Sequence, residues 1–229
     1  IDAISRSPSN TTEDESSSKQ EYLKMKTLIK ICGLTTASAV ECIIENNVDM
    51  AGFVFAKQSP RYIRPKNAKQ LADLIPNHIS KVAVMLHPTQ IEVDEVIDIF
   101  KPDYLQMDAE DFLNTHIPES IESLKVYRDD DRLDLTSISD SKLTLFEGTR
   151  SGSGKLTNIE HSKAVSKKKR VIIAGGLNPN NVLSVLNNVC PLGVDVSSGV
   201  ESKPGLKSEQ KIIQFIRIVR EYDEKKNNE

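Results

Sequence analysis

Cysteine is scarce in this chain. Its 229 residues hold three, Cys32, Cys42 and Cys190, an odd number widely spaced and without a C-x-x-C pair. That excludes a disulfide framework and a cysteine zinc site, and favours a reducing, cytoplasmic setting. The four histidines (His78, His87, His116, His161) show no ligand spacing of the H-E-x-x-H kind. No metal and no cofactor is therefore expected. No apolar run approaches the roughly 18 residues of a membrane helix, so no membrane partner is expected either. Charge of one sign is also lacking: 30 Lys and Arg against 33 Asp and Glu leave a net −3. A protein built chiefly to neutralise nucleic-acid phosphates carries a basic excess, and this one does not. The basic run Lys167–Arg170 precedes a strand without interleaved aromatics and reads as a solvated face.

Apolar periodicity is missing at the start. Ile1 to Lys24 contains six serines and the acidic run Glu13-Asp14-Glu15. Such a stretch buries too little apolar surface to offset its ordering entropy, so residues 1–26 read as a disordered arm or linker. The first residue is Ile rather than Met, which leaves room for an upstream partner, and a fusion to or association with another enzyme is an expectation. The folded unit is expected over 27–222, and the charged residues 223–229 are expected to fray.

Short apolar runs alternate with helical periods from Thr27 onward. Strands are expected at Leu28–Cys32, Gly52–Phe55, Lys81–His87, Asp103–Met107, Leu124–Arg128, Leu143–Glu147, Arg170–Ala174 and Gly193–Val196. They are aliphatic with little polar alternation, as in parallel strands covered on both faces. Helical spacing joins Ala68, Leu71, Ala72 and Ile75; Val93, Val96, Ile97 and Phe100; Val182, Val185, Leu186 and Val189; and Ile212, Phe215, Ile216 and Val219. The connections after the fourth and fifth strands are weakly periodic. Eight β/α units in roughly 200 residues predict an α/β single domain, a (β/α)8 TIM barrel near the lower size limit of that fold. An open doubly wound sheet is the alternative that strand counting leaves standing.

Chemistry in such a barrel sits at the carboxyl ends of the strands. Cys32 ends the first, on the same face as Lys30; it is either a general base, given a cation that stabilises the thiolate, or a buried structural cysteine. Arg61, on the loop Ser59–Tyr62, is either a carboxylate clamp or a solvated cation. Glu147 ends the sixth strand as a candidate general acid or a plain rim carboxylate. Its following Gly/Ser loop is not a Walker A loop, because Thr149 stands at the first-glycine position and Leu156 follows Lys155. Gly175-Gly176 after the seventh strand and Ser198-Gly199 after the eighth, beyond Asp195, together favour a phosphate site.

These segments resemble the phosphoribosylanthranilate isomerase family. The matches are Lys30–Thr35 (KICGLT), Gly52–Phe55 (GFVF), Ser59–Arg61 (SPR), Ala174–Val182 (AGGLNPNNV), Gly193–Glu201 (GVDVSSGVE) and Pro204-Gly205-Leu206-Lys207, in family order. The resemblance implies a metal-free Amadori rearrangement of N-(5-phosphoribosyl)anthranilate, a small phosphosugar-anthranilate, in tryptophan biosynthesis. It implies Cys32 as base, Glu147 as acid where the family has Asp, and Arg61 at the anthranilate carboxylate. Gly175, Gly176, Ser198 and Gly199 would hold the phosphate, with Gln106 and Asp195 as further substrate contacts. The family's QLHG reads Gln106-Met107-Asp108-Ala109, its Gly-rich loop reads Ser151–Gly154, and its following Asp-Trp reads Asn158-Ile159. The sugar isomerase of histidine biosynthesis is a weaker match, since it uses an Asp where Cys32 stands. A catalytically silent phosphosugar-binding barrel is the alternative from another class.

Overall fold

Eight parallel strands close on themselves in chain order, the last pairing with the first. A computed structural model of the chain describes residues 26–130, 133–138, 142–148 and 157–228. The expected arm, except for Lys26, and the Gly/Ser loop at 149–156 lie outside the described residues. The strands are β1 (Leu28–Cys32), β2 (Met50–Val54), β3 (Ser80–Val84), β4 (Tyr104–Asp108), β5 (Glu122–Asp129), β6 (Thr144–Gly148), β7 (Val171–Ile173) and β8 (Gly193–Val196). The ring is sealed by the β1–β8 register, in which Lys30 faces Asp195. A closed barrel replaces the open-sheet alternative.

Among the described residues, six α-helices cover the outside: α1 (Ala37–Glu45), α2 (Pro65–Ala72), α3 (Gln90–Phe100), α4 (Ile159–Lys168), α5 (Val182–Val189) and α6 (Glu209–Asn227). Their starts carry recognisable signals. Thr89 and Glu92 form a reciprocal capping box on α3, Asn158 caps α4, and α2 opens on Pro65. Where periodicity is weak in the sequence, the described residues of the connections after β4 and β5 form 3-10 turns, Asp111–Leu113 and Leu135–Ser137, and no α-helix. Beyond β8 the chain adds a small hairpin, β9 (Glu201–Lys203) with β10 (Leu206–Lys207), that the apolar pattern did not announce.

The expected frayed tail, 223–229, needs correction, because α6 continues to Asn227. Its buried Asp223 accepts bonds from the Thr27 amide and, at 2.6 Å, from the Thr27 hydroxyl. Arg220 meanwhile donates to the Thr27 carbonyl and to Asp49. Charges near the end of the chain thus tie it to the start of β1.

Two apolar layers result. One lies between strands and helices and includes Ile29, Ile31, Phe53, Phe100, Ile212 and Phe215; the other fills the barrel with Met50, Val82, Leu124, Leu145 and Ile172. Above that inner plug, toward the strand carboxyl ends, the lining turns polar with Lys30, Gln106, Glu147 and Asp195, all buried. Lys167–Arg170 falls at the end of α4 and before β7, away from that mouth. No helix among the described residues is long and apolar enough to cross a membrane.

Candidate active site

A cavity of about 500 Å³ opens at the carboxyl ends of the strands. Cys32, Arg61, Gln106, Glu147, Gly175, Gly176, Asp195 and Ser198 all line it. Gly199 is not among the residues that line it.

Cys32 is held on β1 opposite Gly52 of β2. A Cβ on Gly52 would lie 3.1 Å from the sulfur, so this glycine makes room for the thiol. Below it, the fully buried Lys30 donates to Asp195 Oδ1 at 2.8 Å. Burial works against the Lys30 cation, but Asp195 and Cys32 outweigh it and hold its pKa above the ordinary value. For Cys32 the balance goes the other way: burial pushes the thiol pKa up, although Lys30 and Lys207 pull it down. The sequence reading required a cation to favour the thiolate. That cation is present, but Asp195 shares its charge, and desolvation wins.

Arg61 already holds a carboxylate of this chain. Its guanidinium is clamped by Glu201, Nε to Oε1 at 2.7 Å and Nη2 to Oε2 at 2.9 Å. Glu201 also accepts from Lys207 Nζ at 2.9 Å, and Lys207 donates on to the Ser197 carbonyl. Ser197 Oγ in turn donates to the Cys32 carbonyl at 3.0 Å. Burial raises the cost of the Glu201 charge, yet Arg61 and Lys207 hold its pKa below the usual carboxylate value; burial lowers that of Lys207 despite Glu201. This ladder couples the loop after β2 to the hairpin and to β1. Lys207, whose only sequence signal was its place after Pro204-Gly205, was missed as a site residue.

Across the cavity, Glu147 on β6 stands in register with Arg128 on β5, and Gln106 on β4 is buried with its Oε1 unbonded. A buried amide oxygen without a donor is costly, so this atom is suited to accept a bond from a bound molecule. Arg128 Nη2 donates to Asp108 Oδ1 at 2.6 Å. Sequence reasoning missed Arg128, though it ended an expected strand as Glu147 did. His87, Asp108 and Asp111 offer ligand atoms within 4.8 Å of one another. His87 Nδ1 is engaged by Asp111 at 3.0 Å and Asp108 by Arg128, and pairing accounts for this cluster.

At the third side, Gly175 and Gly176 take positive φ (85° and 67°), turning the chain after β7. Asn181 Nδ2 donates to the Gly176 carbonyl at 2.9 Å and fixes the turn. The Ser198–Val200 turn after β8 packs directly against it. A Cβ on Gly199 would fall 1.9 Å from the Leu177 carbonyl oxygen, so only glycine lets the two loops meet. Gly199→Ala should therefore part them. We expect KM for a phosphosugar to rise at least tenfold with a stability loss of about 2 kcal/mol, measured by steady-state kinetics and denaturant titration.

A sequence profile described as N-(5'phosphoribosyl)anthranilate (PRA) isomerase matches residues 29–218. The chain belongs to this family. A curated relative, N-(5'-phosphoribosyl)anthranilate isomerase of Syntrophus aciditrophicus, is 33% identical over 209 residues, covering 86% of this chain and 88% of the relative. The solved phosphoribosyl anthranilate isomerase of Thermotoga maritima superposes with a TM-score of 0.73 at 27% identity, covering 85% of this chain and 99% of that one. A further solved isomerase of the same name holds reduced 1-(o-carboxyphenylamino)-1-deoxyribulose 5-phosphate. It matches with a TM-score of 0.68 at 25% identity over 85% and 99% of the two chains.

Asp108 on β4 and Glu147 on β6 are bridged by Arg128 on β5.

Proposed function

We propose that this chain isomerises N-(5'-phosphoribosyl)anthranilate to 1-(o-carboxyphenylamino)-1-deoxyribulose 5-phosphate in tryptophan biosynthesis, with Glu147 as general acid and Cys32 as general base. One observation carries the reading: a single cavity holds a thiol from β1 and a carboxyl from β6 beside the paired glycine turns after β7 and β8. Glu147 gives its proton to the furanose ring oxygen as the C1′–O bond breaks, and the anthranilate nitrogen lone pair forms the iminium. The Cys32 thiolate then takes the C2′ proton, and the electron pair moves to neutralise the nitrogen. The resulting enolamine gains a proton at C1′ and becomes the ketone as its C2′ hydroxyl loses one. Main-chain amides of the two glycine turns hold the phosphate. Asp195, which anchors Lys30 under the sulfur, completes the base side, and Gln106 Oε1 accepts from a sugar hydroxyl. Arg61, with two of its nitrogens held by Glu201, meets the anthranilate carboxylate through the remaining one.

A raised thiol pKa makes the thiolate scarce at neutral pH but a stronger base once formed. The test is loss of anthranilate-type fluorescence with purified protein in the presence of EDTA. Turnover is expected in the wild type, and Glu147→Gln should reduce kcat by two to four orders of magnitude. No turnover with phosphate-analogue binding retained would favour the silent barrel. The reading also assigns the chain to the cytoplasm, beside any fused or associated enzyme of the pathway; cell fractionation and co-purification test both.

A further inference from the structure

The acid side of the cavity carries a charged pair that the proposed chemistry does not use. Arg128 Nη1 lies 3.7 Å from Glu147 Oε1, and on its other flank Nη2 and Nε reach the two Asp108 oxygens at 2.6 and 3.4 Å. The three side chains are 24%, 10% and 16% exposed, so the attraction between them is little screened. All three come from adjacent strands, β4, β5 and β6, and point into the same cavity.

We propose that Arg128, balanced by Asp108, is the positioning residue for the Glu147 carboxyl; this rests on the reading of Glu147 as the acid. A glutamate carboxyl sits at the end of a long, rotatable side chain, and a fixed cation beside it gives it a defined position. A lone guanidinium at that distance would lower a carboxyl pKa by one to three units and strip the acid of its proton before substrate arrives. Asp108 sits closer to Arg128 than Glu147 does and takes up much of that charge. When Glu147 releases its proton, the new carboxylate meets a cation already in place, with no reorganisation needed.

Other charges facing Glu147 are few among the described residues. β7, its other neighbour in the barrel, contributes only Val171, Ile172 and Ile173. Cys32, Arg61 and Asp195 line the rest of the cavity, Lys30, Lys207 and Glu201 stand behind them, and His87 and Asp111 stand behind Asp108.

The experiment is a carboxyl titration by carbon-13 NMR of glutamate-labelled protein, with the Glu147 signal assigned by its loss in Glu147→Gln. Arg128→Met is expected to move the Glu147 midpoint up by about one pH unit, and Asp108→Asn to move it down by about one. The neutral double variant, which leaves no unpaired charge to impair folding, should fall between them. Each single variant should lose about tenfold in kcat with little change in KM. Arg128→Lys, which keeps the charge without the fork, should return the midpoint and only part of kcat. Midpoints that coincide with wild type, even with lowered stability, would reduce the pair to a rim salt bridge and overturn the proposal. Full activity in Glu147→Gln would overturn it by another route, through the acid assignment beneath it.

Discussion

Cys32→Ala is expected to lower kcat by about three orders of magnitude while the protein remains folded. The substitution removes one sulfur at the edge of a cavity, so the surrounding packing loses little, and Cys32→Ser, nearly isosteric, should be as inactive. Circular dichroism and thermal unfolding separate loss of chemistry from loss of fold; wild-type turnover in either variant would remove the base assignment. The raised thiol pKa adds a signature in stability. A group whose folded pKa exceeds its unfolded value stabilises fully below the unfolded value and loses that contribution as pH rises through the folded one. With an unfolded thiol near pH 8.5, the wild type should lose stability above about that pH. Cys32→Ala should lose less over the same window, as read from the difference between their denaturant midpoints. Equal slopes would mean that the sulfur is not desolvated as its burial implies.

Much of this site could be read before any coordinates because the barrel converts sequence position into spatial position. Once eight apolar runs are read as parallel strands, their last residues must gather at one mouth, and Cys32, Glu147 and Gly175 follow. What stayed hidden depends on which partner a charge selects. Arg61 and Glu201 are 140 positions apart, and nothing local tells that the guanidinium is clamped rather than open. Arg128 was legible as a strand end, yet its meaning appears only when register sets it beside Glu147. At Gly199 the motif did not announce that the glycine also lets two backbones touch. Likewise the closing charged segment reads as a fraying end until Asp223 is seen bonding to Thr27.

The pair beneath Cys32 gives the other large expected effect. Lys30→Met should cost about 3–5 kcal/mol in urea unfolding, because it leaves the Asp195 carboxylate buried without its partner. The damage falls where the barrel closes, since these two residues face each other across the β1–β8 register. Activity should fall as well, for Lys30 is the chief charge opposing the burial penalty on the Cys32 thiolate. The double variant Lys30→Met/Asp195→Leu distinguishes the two contributions. With both charges gone and the volume filled by apolar groups, stability should return to within about 1–2 kcal/mol of wild type. Turnover should not return, because nothing then offsets desolvation of the sulfur. A double variant recovering both would make the ion pair a structural feature only, and the base would have to draw its basicity from Lys207 alone.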